Sequence, residues 1–301
     1  MTKENLELSI DLLEPFFDEG WITDVIRPVK SGKEATVYLC RAGIRTEEDL
    51  VAAKVYRSTN QRGFKNAAVY LEGGMRAMSR RTKAAIARRS DFGRDVLFSS
   101  WIAREKETLD ALYKVGANVP RPITQQSTAF LMAWIGDEEE AAPQLRQVRF
   151  DDPLKATRIF DFLVAQVELW LAHDLVHADL SEYNVLFWRG RPIVIDFPPA
   201  IDPRFNHNAY ALLQRDIGNL ARHFERFGVQ RDARALAIAT WERWLHSDAW
   251  LGQGVGVGQE GGGRATPLRS RAPQGAGPPG PNQTAGTTRP RRTGNARRAD
   301  A

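Results

Sequence analysis

The run from His177 to Phe197 constrains the chain most: His177-Ala-Asp179-Leu-Ser-Glu-Tyr-Asn184, then an apolar hairpin pattern that ends in Val194-Ile-Asp196-Phe197. Asp179 and Asn184 stand five apart, and Asp196 follows Asn184 by twelve. Phosphoryl transfer from ATP needs one carboxylate to orient the acceptor hydroxyl or take its proton. It also needs a second carboxylate and a side-chain amide to hold Mg²⁺ against the phosphates. An H-x-D-x-x-x-x-N loop followed by a strand ending in Asp supplies those groups in that order. Singly, each has a plain structural reading: a turn cap, a partner for loop backbone, an N-cap. All three in order, between a long helix and a hairpin, point to an ATP-dependent phosphotransferase. His177 reads as a structural group of the loop rather than a base.

Upstream, residues 23–30, 36–40 and 51–56 are short β-rich runs separated by turn chemistry, which predicts an antiparallel meander. Lys54 interrupts the otherwise apolar Val51-Ala-Ala-Lys54-Val-Tyr56, and a buried ammonium requires an anionic partner. ATP phosphates and a helix Glu supply it in such enzymes. The helix expected at 101–115 offers Glu105 and Glu107, whose side chains diverge by about 200°, so only one can face the strand. Between the first two strands, Lys30-Ser31-Gly32-Lys33-Glu34-Ala35 sits where a phosphate-covering turn belongs, with Gly32 letting backbone N–H groups approach an anion. It is neither a Walker loop nor G-x-G-x-x-G. Asp91-Phe-Gly93 precedes the catalytic run, follows no apolar strand, and is read as a turn near the end of the basic stretch 62–95, itself read as a helix or a mobile insertion.

Further runs predict a strand at 128–134 entering a turn at Gly136, a helix at 159–174, strands at 184–188 and 192–196 around Arg189-Gly190, and helices at 208–227 and 231–246. Strands first and helices later make an α+β, two-lobed plan.

The net charge of +5 misleads as a whole-chain number, because after residue 251 eight arginines face only Glu260 and Asp300. That stretch also holds twelve glycines and six prolines, so 252–301 is expected to be a disordered C-terminal tail. The single Cys40, in a strand pattern, excludes an intrachain disulfide and fits the core of a protein in a reducing cytoplasm. No apolar run is long enough for a membrane span, and the N-terminus lacks the order of a signal peptide. A cytoplasmic protein with no membrane partner is expected.

These pieces together resemble the RIO family of atypical serine/threonine protein kinases, nearest its first branch in a prokaryotic form. The matching strings are SGKEATVY (31–38), AAKVYR (52–57), WIAREKETL (101–109), FLMAWIG (130–136), HADLSEYNVL (177–186), VIDFPPAID (194–202) and LLQRDIGNL (212–220). They stand in family order across residues 15–245. The resemblance implies a two-lobed protein-kinase-like fold without the usual activation segment or peptide-docking helices. A small β-rich N-lobe would take 1–135, with a basic insertion at 58–100, and a mostly helical C-lobe 136–251. It implies ATP with Mg²⁺, or Mn²⁺ in its place. Lys54 would hold the phosphates with Glu105 as its partner. Ser31 and Lys33 would lie on the nucleotide, and Met132, Ala133 and Ile135 would form the adenine hinge. Asp179 would be the catalytic Asp, Asn184 and Asp196 the metal ligands, and Asp216 a brace for the catalytic loop. Asp196 would also be open to transient phosphorylation, as in an ATPase switch. Ala133 and Ala178 replace an acidic residue and a glycine common in the family.

The acceptor stays open between a protein, the chain itself and water. Two other readings stand beside this one. A small-molecule phosphotransferase of the aminoglycoside- or choline-kinase type shares the H-x-D loop. A nucleotide-gated ribosome assembly factor would contact ribosome or RNA through the basic insertion and tail.

Overall fold

The structure is a computed structural model of the 301-residue chain, and it describes residues 11–32, 35–56, 78–88, 90–126, 128–197 and 200–251. The expected tail, residues 58–77 and 89 of the expected insertion, and Lys33 and Glu34 lie outside the described residues.

A short helix α1 (Glu14–Asp18) leads into β1 (Ile22–Ser31), β2 (Ala35–Ala42) and β3 (Leu50–Tyr56). Helices α2 (Arg80–Ala87) and α3 (Asp91–Lys114) follow, then β4 (Pro122–Gln126) and β5 (Ala129–Ala133). The five strands make one antiparallel sheet in the order β1-β2-β3-β5-β4. Alternation along β3 divides its two faces. Val51, Ala53 and Val55 pack with Phe16 of α1, with Leu13 at its N-cap and with Cys40 in one cluster, whereas Tyr56 joins the larger core. Lys54 shares the parity of Tyr56 and so points to the cleft side. Cys40 is a core residue, its thiol pushed up to about 12 by burial, with Asp24 adding to the effect.

The structure corrects several sequence expectations here. Asp91-Phe-Gly93 is the first turn of α3 rather than a loop turn: the Ser90 hydroxyl accepts the Gly93 N–H at 3.1 Å as an N-cap. A Cβ on Gly93 would come within 2.3 Å of the Ala85 carbonyl oxygen, so glycine is what lets α3 close against α2. Over most of its described part the insertion is helical, in keeping with the helical one of its two readings; the correction is that α3 starts at Asp91 rather than at 101. Charge spread around the first turns of α3 hid its periodicity. On α3, Ile102, Leu109 and Leu112 are buried, whereas Tyr113 is exposed. Strand β4 has no counterpart in the expectations, being an edge strand that opens on Pro122 and carries polar residues.

The helical half contains α4 (Pro153–Ala172), the hairpin β6 (Val185–Trp188) and β7 (Arg191–Val194), α5 (Ala209–Glu225) and α6 (Ala233–Leu251). Asp152 caps α4, with Pro153 at its first helical position. Phe160, Leu163, Val167 and Trp170 of α4 pack with Leu213, Ile217, Leu220 and Phe224 of α5 in the same core. Together the halves form the two-lobed α+β plan. Among the described residues, no helix is long and apolar enough to cross a membrane.

Candidate active site

Lys54 sits near the middle of β3, opposite Val37 of β2 and Phe130 of β5. It is 8% exposed, and its Nζ lies 2.5 Å from Oε1 of Glu105 and 2.7 Å from Oδ1 of Asp196. Glu105, from α3, is 1% exposed, so the sheet and helix exclude water from this pair. Burial alone would depress the Lys54 ammonium; Asp196 and then Glu105 outweigh it and raise the pKa above its ordinary value. Burial would also raise the Asp196 carboxyl, but the charge and hydrogen bond of Lys54 hold it below the usual carboxylate range. The Asp196 side chain stays 46% exposed, open to the cleft.

That cleft, about 380 Å³, is lined by Lys30 and Gly32 of the turn, Lys54, Glu105, Met132, Asp196 and apolar neighbours from both lobes. Lys54, Glu105, Met132 and Asp196 of the expected site thus meet in one cavity. Ser31, the last residue of β1, Ala133, the last of β5, and Ile135 beyond it are not among the residues that line the cavity, nor are Asp179 and Asn184. The Ala133 amide donates to the Arg121 carbonyl at 2.8 Å, and the Ile135 carbonyl accepts from Ala142 at 2.9 Å. Only other backbone groups of these two residues are left for a base.

The catalytic run forms a braced loop. Asp216 of α5, 1% exposed, accepts the amides of Ala178 (2.8 Å) and Leu180 (3.0 Å) on its two oxygens. These contacts hold Ala178 at φ 65°, a left-handed conformation that costs a non-glycine residue about 1–2 kcal/mol. Burial pushes the Asp216 carboxyl up to about 7, with the two amides and Arg215 pulling the other way. Two residues outside the expected site complete the brace: Arg215 donates to the Ala178 carbonyl, and Asn219 donates to the Leu180 carbonyl at 3.0 Å. Their signal in sequence was only nearness to Asp216, Arg215 preceding it and Asn219 standing one helical turn after it. His177 is 2% exposed, packs on Phe197 and Trp170, and accepts the Asp179 amide on Nδ1 at 3.3 Å. Burial drives its pKa down to about 4, which keeps it neutral and suits the structural reading.

Asp179 is exposed; partial burial lifts its carboxyl above the ordinary value, against the opposing pull of Arg215. Asn184 Nδ2 donates to the Asp179 carbonyl at 2.8 Å, which leaves Oδ1 as the side-chain atom able to accept a cation. The Asn184 carbonyl accepts the Ile195 amide at 2.8 Å, so the hairpin brings Asn184 alongside the residue preceding Asp196. An amide oxygen and a carboxylate are hard donors, and a two-donor set suits Mg²⁺, which takes its other ligands from water and phosphate. Beyond Asp196, itself at φ 71°, the chain returns to the loop: Val176 and Ile201 exchange two backbone hydrogen bonds at 2.9 and 2.8 Å.

A family model for the RIO domain matches residues 36–236. The chain is 30% identical over 220 residues to the RIO-type serine/threonine-protein kinase Rio1 of Haloferax volcanii, covering 72% of this chain and 69% of that one. It is 31% identical over 183 residues to the Rio1 kinase of Thermoplasma acidophilum, covering 60% of this chain and 88% of that one. Against mouse RIO3 it is 25% identical over 226 residues, 72% of this chain but 42% of that one. Among solved structures, the Rio2 kinase of Chaetomium thermophilum in a complex with ADP, Mg²⁺ and phosphoaspartate is similar in fold. Its TM-score is 0.54 at 21% identity, covering 79% of this chain and 70% of that one.

Proposed function

The chain belongs to the RIO-domain family of ATP-dependent serine/threonine kinases, and we propose that its cleft runs this chemistry through Lys54, Asp179, Asn184 and Asp196, with Asp196 also able to carry phosphate itself. One observation carries the reading: Lys54 is pinned between Glu105 at 2.5 Å and Asp196 at 2.7 Å in a cleft roofed by the Lys30–Gly32 turn. A lysine so fixed presents its remaining donor to the phosphates of ATP. Met132, Ala133 and Ile135 would border the adenine end and Ser31 the phosphate end; Lys33 lies outside the described residues. Asn184 Oδ1 and the Asp196 carboxylate would hold Mg²⁺, which neutralises charge on the phosphates and aligns them when bound. Asp179, its carboxyl raised, orients the acceptor hydroxyl and receives its proton as the new P–O bond forms.

Asp196 offers a second route. A carboxylate oxygen attacks the γ-phosphorus, the bond to the β-phosphate oxygen breaks, and ADP leaves. Water then cleaves the acyl phosphate, returning the carboxylate and inorganic phosphate. The Rio2 kinase captured with phosphoaspartate supports this step by analogy. A small-molecule acceptor is not favoured, since the relatives at about 30% identity are serine/threonine kinases. The setting proposed is the cytoplasm. Ribosome or RNA contact through the basic segments is proposed as well; co-sedimentation with ribosomal subunits that differs between ATP and ADP would support it.

The test of the second route is mass spectrometry after incubation with Mg-ATP, with hydroxylamine as the cleaving reagent. A hydroxylamine-labile phosphate on Asp196 is expected. ATP turnover with phosphate found only on hydroxyl side chains would remove the acyl-phosphate step.

A further inference from the structure

The cation next to Asp179 is the first of a series. Arg215, Arg222 and Arg226 stand at helical intervals along one side of α5 and its C-cap, with Asn219 between the first two. Contacts tie this side to the catalytic loop. Arg215 donates to the Ala178 carbonyl, Asn219 donates to Leu180, and Arg222 donates to Asn219 Oδ1 at 3.2 Å. Arg226 lies over the Phe227 ring at 4.9 Å and against His223. All three arginines are exposed, and among the described residues none lies within ion-pair distance of a carboxylate. Across the loop, exposed Arg146 stacks on exposed Tyr183 at 5.3 Å, and its amide donates to the Glu182 carbonyl. A cationic track therefore leads away from the group that receives the acceptor hydroxyl.

We propose that this track, Arg215–Arg222–Arg226 with Arg146 facing it, reads an acidic polypeptide segment that carries the acceptor serine or threonine. The proposal rests on the phosphotransferase reading above and adds a substrate class to it. Spacing makes it specific. Arg222 and Arg226 lie about 10 and 16 Å along the helix axis from Arg215 at 1.5 Å per residue. An extended peptide advances about 3.3 Å per residue, so its carboxylates belong about three and five residues from the acceptor, on one side of it. Arginine forks match carboxylates in a bidentate manner. Glu182 and Glu225 interrupt the positive run. That suits separated carboxylates better than a nucleic-acid strand, which carries a charge about every 3.4 Å.

The experiment uses the full chain with Mg-ATP and four serine peptides: neutral, lysine-flanked, and glutamate at the third and fifth positions on either side. One glutamate peptide is expected to exceed the neutral one in kcat/KM by about tenfold, mainly through KM. The double variant R222E/R226E is expected to lose that preference and to gain on the lysine peptide. Its ATP turnover without peptide should match the parent, which separates charge reading from misfolding. Equal use of all four peptides, or use of none while ATP turnover persists, would overturn the proposal. So would a variant-sensitive affinity for single-stranded oligouridylate alongside indifference to peptide charge. Absence of ATP turnover in the parent chain would instead overturn the phosphotransferase reading on which the proposal rests.

Discussion

At the scale of single residues, the site depends on a buried cation with two anionic partners of different exposure. Glu105 is sealed beneath Lys54 and fixes its direction, whereas Asp196 is half open and shares Lys54 with the cleft. Removing the sealed partner should therefore harm positioning more than charge balance. Glu105→Gln is expected to lower kcat/KM for ATP on the order of 10²-fold, the scale of losing one preorganised electrostatic contact. Steady-state ATPase kinetics check this, and a wild-type value would contradict the pinning role. His177 offers a pH test. Its pKa falls from 6.5 to about 4 on folding, mainly through burial. The depressed value favours the neutral form, so its contribution is complete above pH 6.5 and is lost as pH falls through about 4. His177→Gln should flatten the stability decline in that window by on the order of 3 kcal/mol. Urea denaturation of both proteins across the window measures the difference. Lys54, Asp179, Asn184 and Asp196 were legible in sequence because each lies in a short string whose spacing mirrors its chemistry. Arg215 and Asn219 were not, because a polar residue on a helix reads as solvated surface until its loop is seen packed beside it.

At the scale of elements, two glycines mark where the backbone itself decides geometry. Gly93 allows α3 to touch α2, and a side chain there meets the Ala85 backbone. Gly93→Val is expected to part the two helices at a cost of about 1–3 kcal/mol. Hydrogen exchange should then rise over 80–88 before it rises at Lys54, and unchanged exchange there would contradict the packing. Gly136, at φ 151°, follows the proposed adenine hinge, and a Cβ would lie 2.4 Å from the Glu140 carbonyl oxygen. Gly136→Ala should strain the turn by about 1–3 kcal/mol, which lowers the thermal midpoint by several degrees, and raise KM for ATP by about tenfold. An unaltered KM would detach this turn from nucleotide binding. The meander and the hairpin were readable because period-two patterns met clear turn residues. The start of α3 was not, because capping by Ser90 and packing on α2, rather than an apolar stripe, define it.

At the scale of the whole molecule, the two lobes share one apolar core, in which Tyr56, Leu109 and Phe130 lie with Leu163, Val185 and Val194. They are also joined by hydrogen bonds of Asn118 to Gln166 and Pro192 and by the ion pair of Lys54 with Asp196. The α+β order was legible from strands preceding helices. The return of the chain from Asp196 to Val176 was not, since that contact joins residues with no local pattern in common. The central claim is that this cleft transfers phosphate from ATP and that Asp196 is indispensable to it. Asp196→Ala leaves Lys54 paired with Glu105, so the fold should persist. The decisive measurement is Mg-ATP turnover of this variant beside the parent chain, with thermal unfolding of both as the control. A folded variant whose turnover falls at least about 10²-fold is the expected result. A folded variant that turns over ATP at the parent rate would contradict the account.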